Sequence, residues 1–159
     1  MNSVLRAGVV IVLMLVSAGV WATREEKTFH VSVTIPTHEF HVLPVDPLFL
    51  EREQVMHWNA VTEQLSSLRA QFDVKNASGG ISARLAAEPY LSNGRERIDL
   101  EIRFNRQRLS LLDTLVVDPE QARIGHRVTL DIAAPKAAEG FLPGHYYGTV
   151  HLIFDAVNP

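Results

Sequence analysis

Apolar and polar residues alternate with a period of two through most of the chain. Phe29, Val31, Val33 and Ile35 are separated by His30, Ser32 and Thr34, and Pro36 closes the run. Such a segment has one apolar and one polar face, as a half-buried strand does, and its β-branched side chains favour that conformation. Phe40 and Val42 alternate with Glu39 and His41 in a second run, closed by Pro44 and Pro47. Val55 to Ala60 predicts a further strand of irregular pattern. Leu68, Ala70, Phe72 and Val74 then alternate with Arg69, Gln71, Asp73 and Lys75. Asn76-Ala77-Ser78-Gly79-Gly80 has the composition of a turn, and Ile81, Ala83, Leu85 and Ala87 alternate after it. Residues 68–87 are therefore predicted to form a β-hairpin.

Ile98, Leu100, Ile102 and Phe104 alternate next, and Asn105 to Gln107 turns the chain into Arg108–Leu112. Val128, Leu130 and Ile132 follow, and Val150, Leu152 and Phe154 form the last run after a turn at Pro143-Gly144. Residues 60–71 carry a faint helical pattern, but from Leu68 the strand reading fits better. Six or more short strands separated by turns predict an all-β antiparallel sandwich or barrel.

The first segment differs in kind. Arg6 is its only charged side chain, Ala7 to Val16 is unbroken apolar sequence, and Val20 and Ala22 precede a return of charge at Arg24. A short basic start, an apolar run of about 7–15 residues and small residues at a cleavage point describe a secretory signal. The run is short for the ~20 residues that span a bilayer, which disfavours an uncleaved anchor. Cleavage before Thr23 leaves a soluble mature chain that begins near its first strand.

Composition is that of one ordinary domain: 159 residues, 47% hydrophobic and 21% charged. A net charge of −3 gives no basic balance for nucleic acid. With no cysteine, disulfides, thiol catalysis and cysteine metal sites are excluded, and the core or a partner must hold the domain together. His38 and His41 are three residues apart, which puts them on opposite faces of a strand, so they and the remote His30 and His57 predict no metal site. Glu51, Glu53, Glu63, Asp99 and Glu101 offer carboxylates, but nothing positions a nucleophile and a base beside them. Gly79-Gly80 is turn chemistry rather than a phosphate loop. The sequence calls for no cofactor and no catalytic residue. Trp58, Tyr90, Tyr146 and Tyr147 could furnish either a sugar-binding platform or packing.

Three stretches carry a resemblance to a known family. They are Glu26-Lys27-Thr28-Phe29-His30-Val31-Ser32-Val33 through Pro36, then Val74-Lys75-Asn76-Ala77-Ser78 through Ile81, Leu85, Ala86, Pro89 and Leu91, and finally Ile132-Ala133-Ala134-Pro135-Lys136 followed by Gly144-His145-Tyr146-Tyr147-Gly148-Thr149-Val150-His151-Leu152. The mature chain resembles the major subunits of colonisation-factor-antigen fimbriae, the alpha class of chaperone–usher pili. The resemblance is sparse between residues 95 and 125.

The resemblance implies an incomplete immunoglobulin-like sandwich, completed by a donor strand from another subunit. It implies a signal at residues 1–22, a donor strand at 23–36 and a pilin domain at 37–159. Phe29, Val31, Val33 and Ile35 would be the donor residues, and Val42, Val150, Leu152 and Phe154 would line the acceptor groove. The implied partners are identical pilins, a periplasmic chaperone, an outer-membrane usher and a larger tip adhesin, with export through the periplasm to a surface fimbrium. The other reading of the residues is a monomeric secreted or periplasmic sandwich that binds a carbohydrate or a protein.

The exported protein is expected to begin at Thr23, which intact mass spectrometry checks; a mature chain retaining residues 1–22 contradicts the signal.

Overall fold

A computed structural model describes residues 39–137 and 140–158. Every named strand pair is antiparallel. The larger sheet has five strands in the order β1-β4-β11-β8-β9, and the smaller has three in the order β10-β5-β12. In the larger sheet, β1 is Phe40–Pro44, β4 Leu68–Asn76, β8 Glu101–Phe104, β9 Gln107–Arg108 and β11 His126–Ala133. In the smaller, β5 is Gly80–Leu85, β10 Thr114–Val117 and β12 Leu152–Val157. Two short hairpins, β2 (Trp58–Asn59) with β3 (Gln64–Leu65) and β6 (Tyr90–Ser92) with β7 (Arg97–Asp99), complete the strands.

The period-two pattern decides which side chains enter the core. Phe72 and Val74 of β4, Val128, Leu130 and Ile132 of β11, and Ile102 and Phe104 of β8 are buried and meet Ile81, Ala83 and Leu85 of β5 and Val116 and Val117 of β10. Four rings run edge to face or tilted through this core. Phe49 lies 6.2 Å from Phe72, Phe72 5.6 Å from Phe104, and Phe104 4.8 Å from Phe154, which joins β12 to the larger sheet. Such pairs add to burial itself, at about 0.5–1.5 kcal/mol each.

The predicted hairpin at 68–87 is not formed. β4 pairs with β1 and β11, whereas β5 pairs with β10 and β12. Residues 76–80 are a corner that carries the chain from one sheet to the other. Asn76, buried, donates from Nδ2 to the Gly80 carbonyl at 2.7 Å and accepts the Ser78 N–H at 3.1 Å. Gly79 lies so close to the end of β12 that a Cβ there would sit 1.9 Å from the Val157 carbonyl oxygen. Turn composition reports a reversal of direction, and an arch between sheets satisfies it as well as a hairpin does.

Further strands differ from expectation: the alternating run 98–104 is divided between β7 and β8, which pair with different strands, and the last strand begins at Leu152 rather than Val150. Only Trp58–Asn59 of the irregular run 55–60 is strand, and the run after residue 107 stops at Arg108. A short helix, α1 (Pro119–Ile124), follows β10; the Asp118 side chain accepts the N–H groups of Glu120 and Gln121 at 3.1 and 2.9 Å, and Pro119 opens the first turn. Among the described residues, no helix is long and apolar enough to cross a membrane.

The outer face of the larger sheet is laced with ion pairs set by strand register. Arg127 opposes Asp73 and donates to both carboxylate oxygens, at 2.7 and 2.9 Å. The hydrogen bond from Arg127 is the main cause that holds the Asp73 carboxyl below its usual range. That contribution is present above the ordinary carboxylate pKa and fades as pH falls through the lowered one; both partners are well exposed, so it is small. Arg69 likewise bonds its register partner Asp131. Arg103 and Arg108 stand directly opposite each other, and Glu101 relieves the repulsion by reaching them at 2.7 and 3.5 Å.

Asn105 and Arg106, with φ of +49 and +67, connect β8 to β9. A two-residue hairpin loop uses this left-handed pair. Glycine takes it without strain, whereas another residue there costs about 1–2 kcal/mol.

Gly79→Ala is expected to destabilise the domain by about 1–3 kcal/mol or more, because the added methyl meets backbone rather than a flexible side chain. The denaturant midpoint measures it, and an unchanged midpoint would show that the corner yields freely.

Candidate functional site

The sheets do not cover each other completely. In β12, Leu152 and Phe154 oppose Leu85 and Ala83 of β5, and these β5 residues are buried. Leu152 and Phe154 point to the same side and pack on the core, yet they remain only half-buried. Among the described residues, β5 is the strand that pairs with β12, so the far edge of β12 borders the surface.

Along that edge runs a groove of about 1190 Å³. Leu152 and Phe154 form one wall. Val42 of β1 and Phe49, in the single 3₁₀ turn Pro47–Phe49 after it, contribute from the larger sheet's edge; Phe72, Leu130 and Ile132 line its depth. Phe49 is positioned by a local cap: Asp46 accepts the Leu48 N–H at 3.1 Å and binds Arg52 at 2.6 Å. The approach to β12 is irregular chain. Tyr147 is tied to Ser92 by two backbone hydrogen bonds of 2.8 and 3.0 Å, and Gly148 passes where a Cβ would lie 2.1 Å from the Tyr90 carbonyl oxygen. That contact explains the glycine and fixes Thr149, Val150 and His151 along the groove.

All four residues expected of an acceptor groove, Val42, Val150, Leu152 and Phe154, line this one cavity. The four expected donor residues, Phe29, Val31, Val33 and Ile35, lie outside the described residues, as does His38. Sequence reasoning did not assign Phe49, Met56, Trp58 or Leu68 to the groove. Phe72, Leu130 and Ile132 were legible as inward-facing, but alternation does not distinguish a core position covered by its own chain from one that lines an opening.

Of the aromatic residues, Trp58, Tyr146 and Tyr147 line the groove, whereas Tyr90 instead holds Arg97 over its ring at 4.2 Å. Trp58 stacks edge-on against Phe141 at 6.0 Å. Besides Tyr146 and Tyr147, the charged or titratable side chains of the lining are Arg52, Glu53, His145 and His151. They are dispersed, and no group of His, Asp or Glu among the described residues could hold a metal ion. The arrangement offers apolar contact and a hydrogen-bonding strand edge, the two requirements for holding an extended peptide.

Residues 25–155 match the family model of the CS1 type fimbrial major subunit. Among solved structures, the CooA pilin subunit from enterotoxigenic Escherichia coli is similar, with 18% identity and a TM-score of 0.62 over 74% of this chain and 86% of that one. At this identity the likeness establishes the fold, an immunoglobulin-like pilin sandwich. None of the curated proteins matches the chain. The match to the family model spans nearly all of the sandwich and both edges of the groove, and it decides between the fimbrial and the monomeric readings. The chain belongs to the CS1 type fimbrial major subunit family: it is a structural component of a cell-surface fimbrium, polymerising with other pilin subunits, and not an enzyme.

Proposed function

We propose that this subunit joins its fimbrium by donor-strand exchange. Residues 1–22 are a cleaved export signal, residues 23–36 the donor strand, and residues 37–159 the domain that receives a strand from another copy. The carrying observation is the state of Leu152 and Phe154: inward-facing side chains on an edge strand, half-buried beside an apolar groove. An edge of this kind recruits a further strand.

The arriving strand hydrogen-bonds along β12 and drops alternate side chains into the groove. Phe29, Val31, Val33 and Ile35 offer four apolar side chains at the required period of two. Their burial contributes ~1.5–3 kcal/mol each, roughly 6–12 kcal/mol before entropic costs. That is comparable to a whole domain's stability, on the order of 5–15 kcal/mol. A groove of this size needs cover before assembly, so a periplasmic chaperone holds the subunit and an outer-membrane usher exchanges it for the next donor strand. A tip adhesin completes the fibre, which supports cell adhesion. Strength without cysteine follows from the large buried surface of each joint.

Side-chain register gives the test. Val33→Asp places an unpaired charge in the groove, which disfavours burial strongly, whereas Ser32→Asp places it on the outward face. Fibre yield and thermal dissociation are expected to collapse for Val33→Asp and to stay near wild type for Ser32→Asp; equal losses contradict the register. On the acceptor side, Leu152→Asp is expected to lower subunit yield severalfold, measured by immunoblot of cell extracts, and wild-type yield would show that Leu152 does not form the groove.

A further inference from the structure

The outer face of the larger sheet holds a second feature, remote from the groove in its chemistry. A shallow depression of about 550 Å³ is bordered by Arg69, Arg127, Arg106 and His126, over Gln71 and Thr129. Asp131 is its one lining carboxylate and is already bonded to Arg69. Arg127 is held by Asp73. Arg106 has no ion pair among the described residues, and it sits in the left-handed conformation where glycine would be free of strain. A charged residue kept in such a conformation at an exposed turn points to a use outside its own fold.

The opposite charge occurs in the same circumstance elsewhere. Glu63 also has positive φ, +53, at the tip of the β2–β3 hairpin, and it too is exposed and without an ion pair among the described residues. Of the described non-glycine residues only Glu63, Asn105 and Arg106 have positive φ. Asn105 is accounted for by its hydrogen bond to the Val116 carbonyl at 2.6 Å. The Glu63 hairpin is a preformed knob: the Asn59 side chain accepts the Val61 and Thr62 N–H groups at 2.9 and 3.1 Å, and Val61 at the tip is 94% exposed.

We infer that the β2–β3 hairpin tip of one copy docks on the cationic depression of another, with Glu63 entering between Arg106, Arg69 and Arg127. A second copy is the fitting occupant because the charges are complementary and because polymerisation keeps copies at high effective concentration. The inference rests on the fimbrial assembly of the chain but not on how successive subunits are joined. The contact stiffens the fibre and weakens with salt, since the screening length falls from about 10 Å at 0.1 M to about 3 Å at 1 M.

Zero-length carbodiimide crosslinking tests it directly. Arg106→Lys keeps the charge and supplies an amine. In fibres assembled from light and heavy isotope forms of this variant, mass spectrometry is expected to find position 106 joined to Glu63 with light–heavy mixing. Links confined to one copy, or to other carboxylates only, overturn the proposal. Glu63→Arg and Arg106→Glu are each expected to lower the dissociation temperature of the fibres, and their combination to restore most of the loss. Arg106→Gly, which removes charge and strain together, is expected to raise the subunit's own Tm while lowering that of the fibre. A combination no better than the worse single variant overturns the contact, as does loss of heparin binding by Arg106→Glu with fibre stability unchanged, which makes the depression a polyanion site. Fibres still form in these variants, whereas failure of strand exchange shows as absence of fibres in Val33→Asp.

Discussion

Phe104 is fully buried and in ring contact with both Phe72 and Phe154. Through it β12, which pairs with β5 in the smaller sheet, is also packed against the larger one. The interaction is one-sided. β5 covers one flank of β12 by hydrogen bonding and Phe104 covers its inner face, but the rest of the apolar surface around Leu152 and Phe154 opens into the groove. The domain thus has a complete core at its centre and an incomplete one along a single line. Hydrophobic burial is proportional to area removed from water, so that line is where an added strand gains most.

The two faces of the larger sheet divide the work. Its inner face supplies the aromatic and aliphatic floor of the groove. Its outer face is stabilised little by its ion pairs, because exposed pairs contribute only about 0–1 kcal/mol. Their ordered geometry matters more for where charge is presented. Arg69 and Arg127 are fixed by Asp131 and Asp73 on neighbouring strands, so the depression between them is preorganised rather than formed from free side chains.

Much of this was legible in the sequence. Period-two alternation located β1, β4, β5, β8, β11 and β12, and placed Phe72, Ile102 and Leu130 inward. The groove residues Val42, Val150, Leu152 and Phe154 came from family resemblance, and the cavity they line gives the grouping a physical form. What escaped was non-local. Asn76 to Gly80 reads as a turn whether the next strand folds back or crosses over, and the difference lies in the distant strands β10 and β12 that pair with β5, with Val157 close against Gly79. Helix α1 was not read from the sequence, because its six residues are too few for a helical period and its Asp118 cap and Pro119 are signals that alternation does not register. Phe49 carries no periodic signal, since its place comes from the Asp46 cap.

The sheet-crossing corner also governs the order in which the domain can be built. β1 precedes β4 and pairs with it, but because β4 and β5 do not pair with each other, the strands that complete their cover lie far along the chain: Phe72 waits for Val128, and Leu85 for Leu152. Contacts of such long sequence separation require large loops to close before any pairing rewards them, which makes folding slow. A chain emerging from its N-terminal side therefore has its first long strands in place while their neighbours are still to come, with Phe72 and Ile81 exposed in the interval. A surface that received β4 and β5 early would shorten the period in which they can pair with the wrong edge.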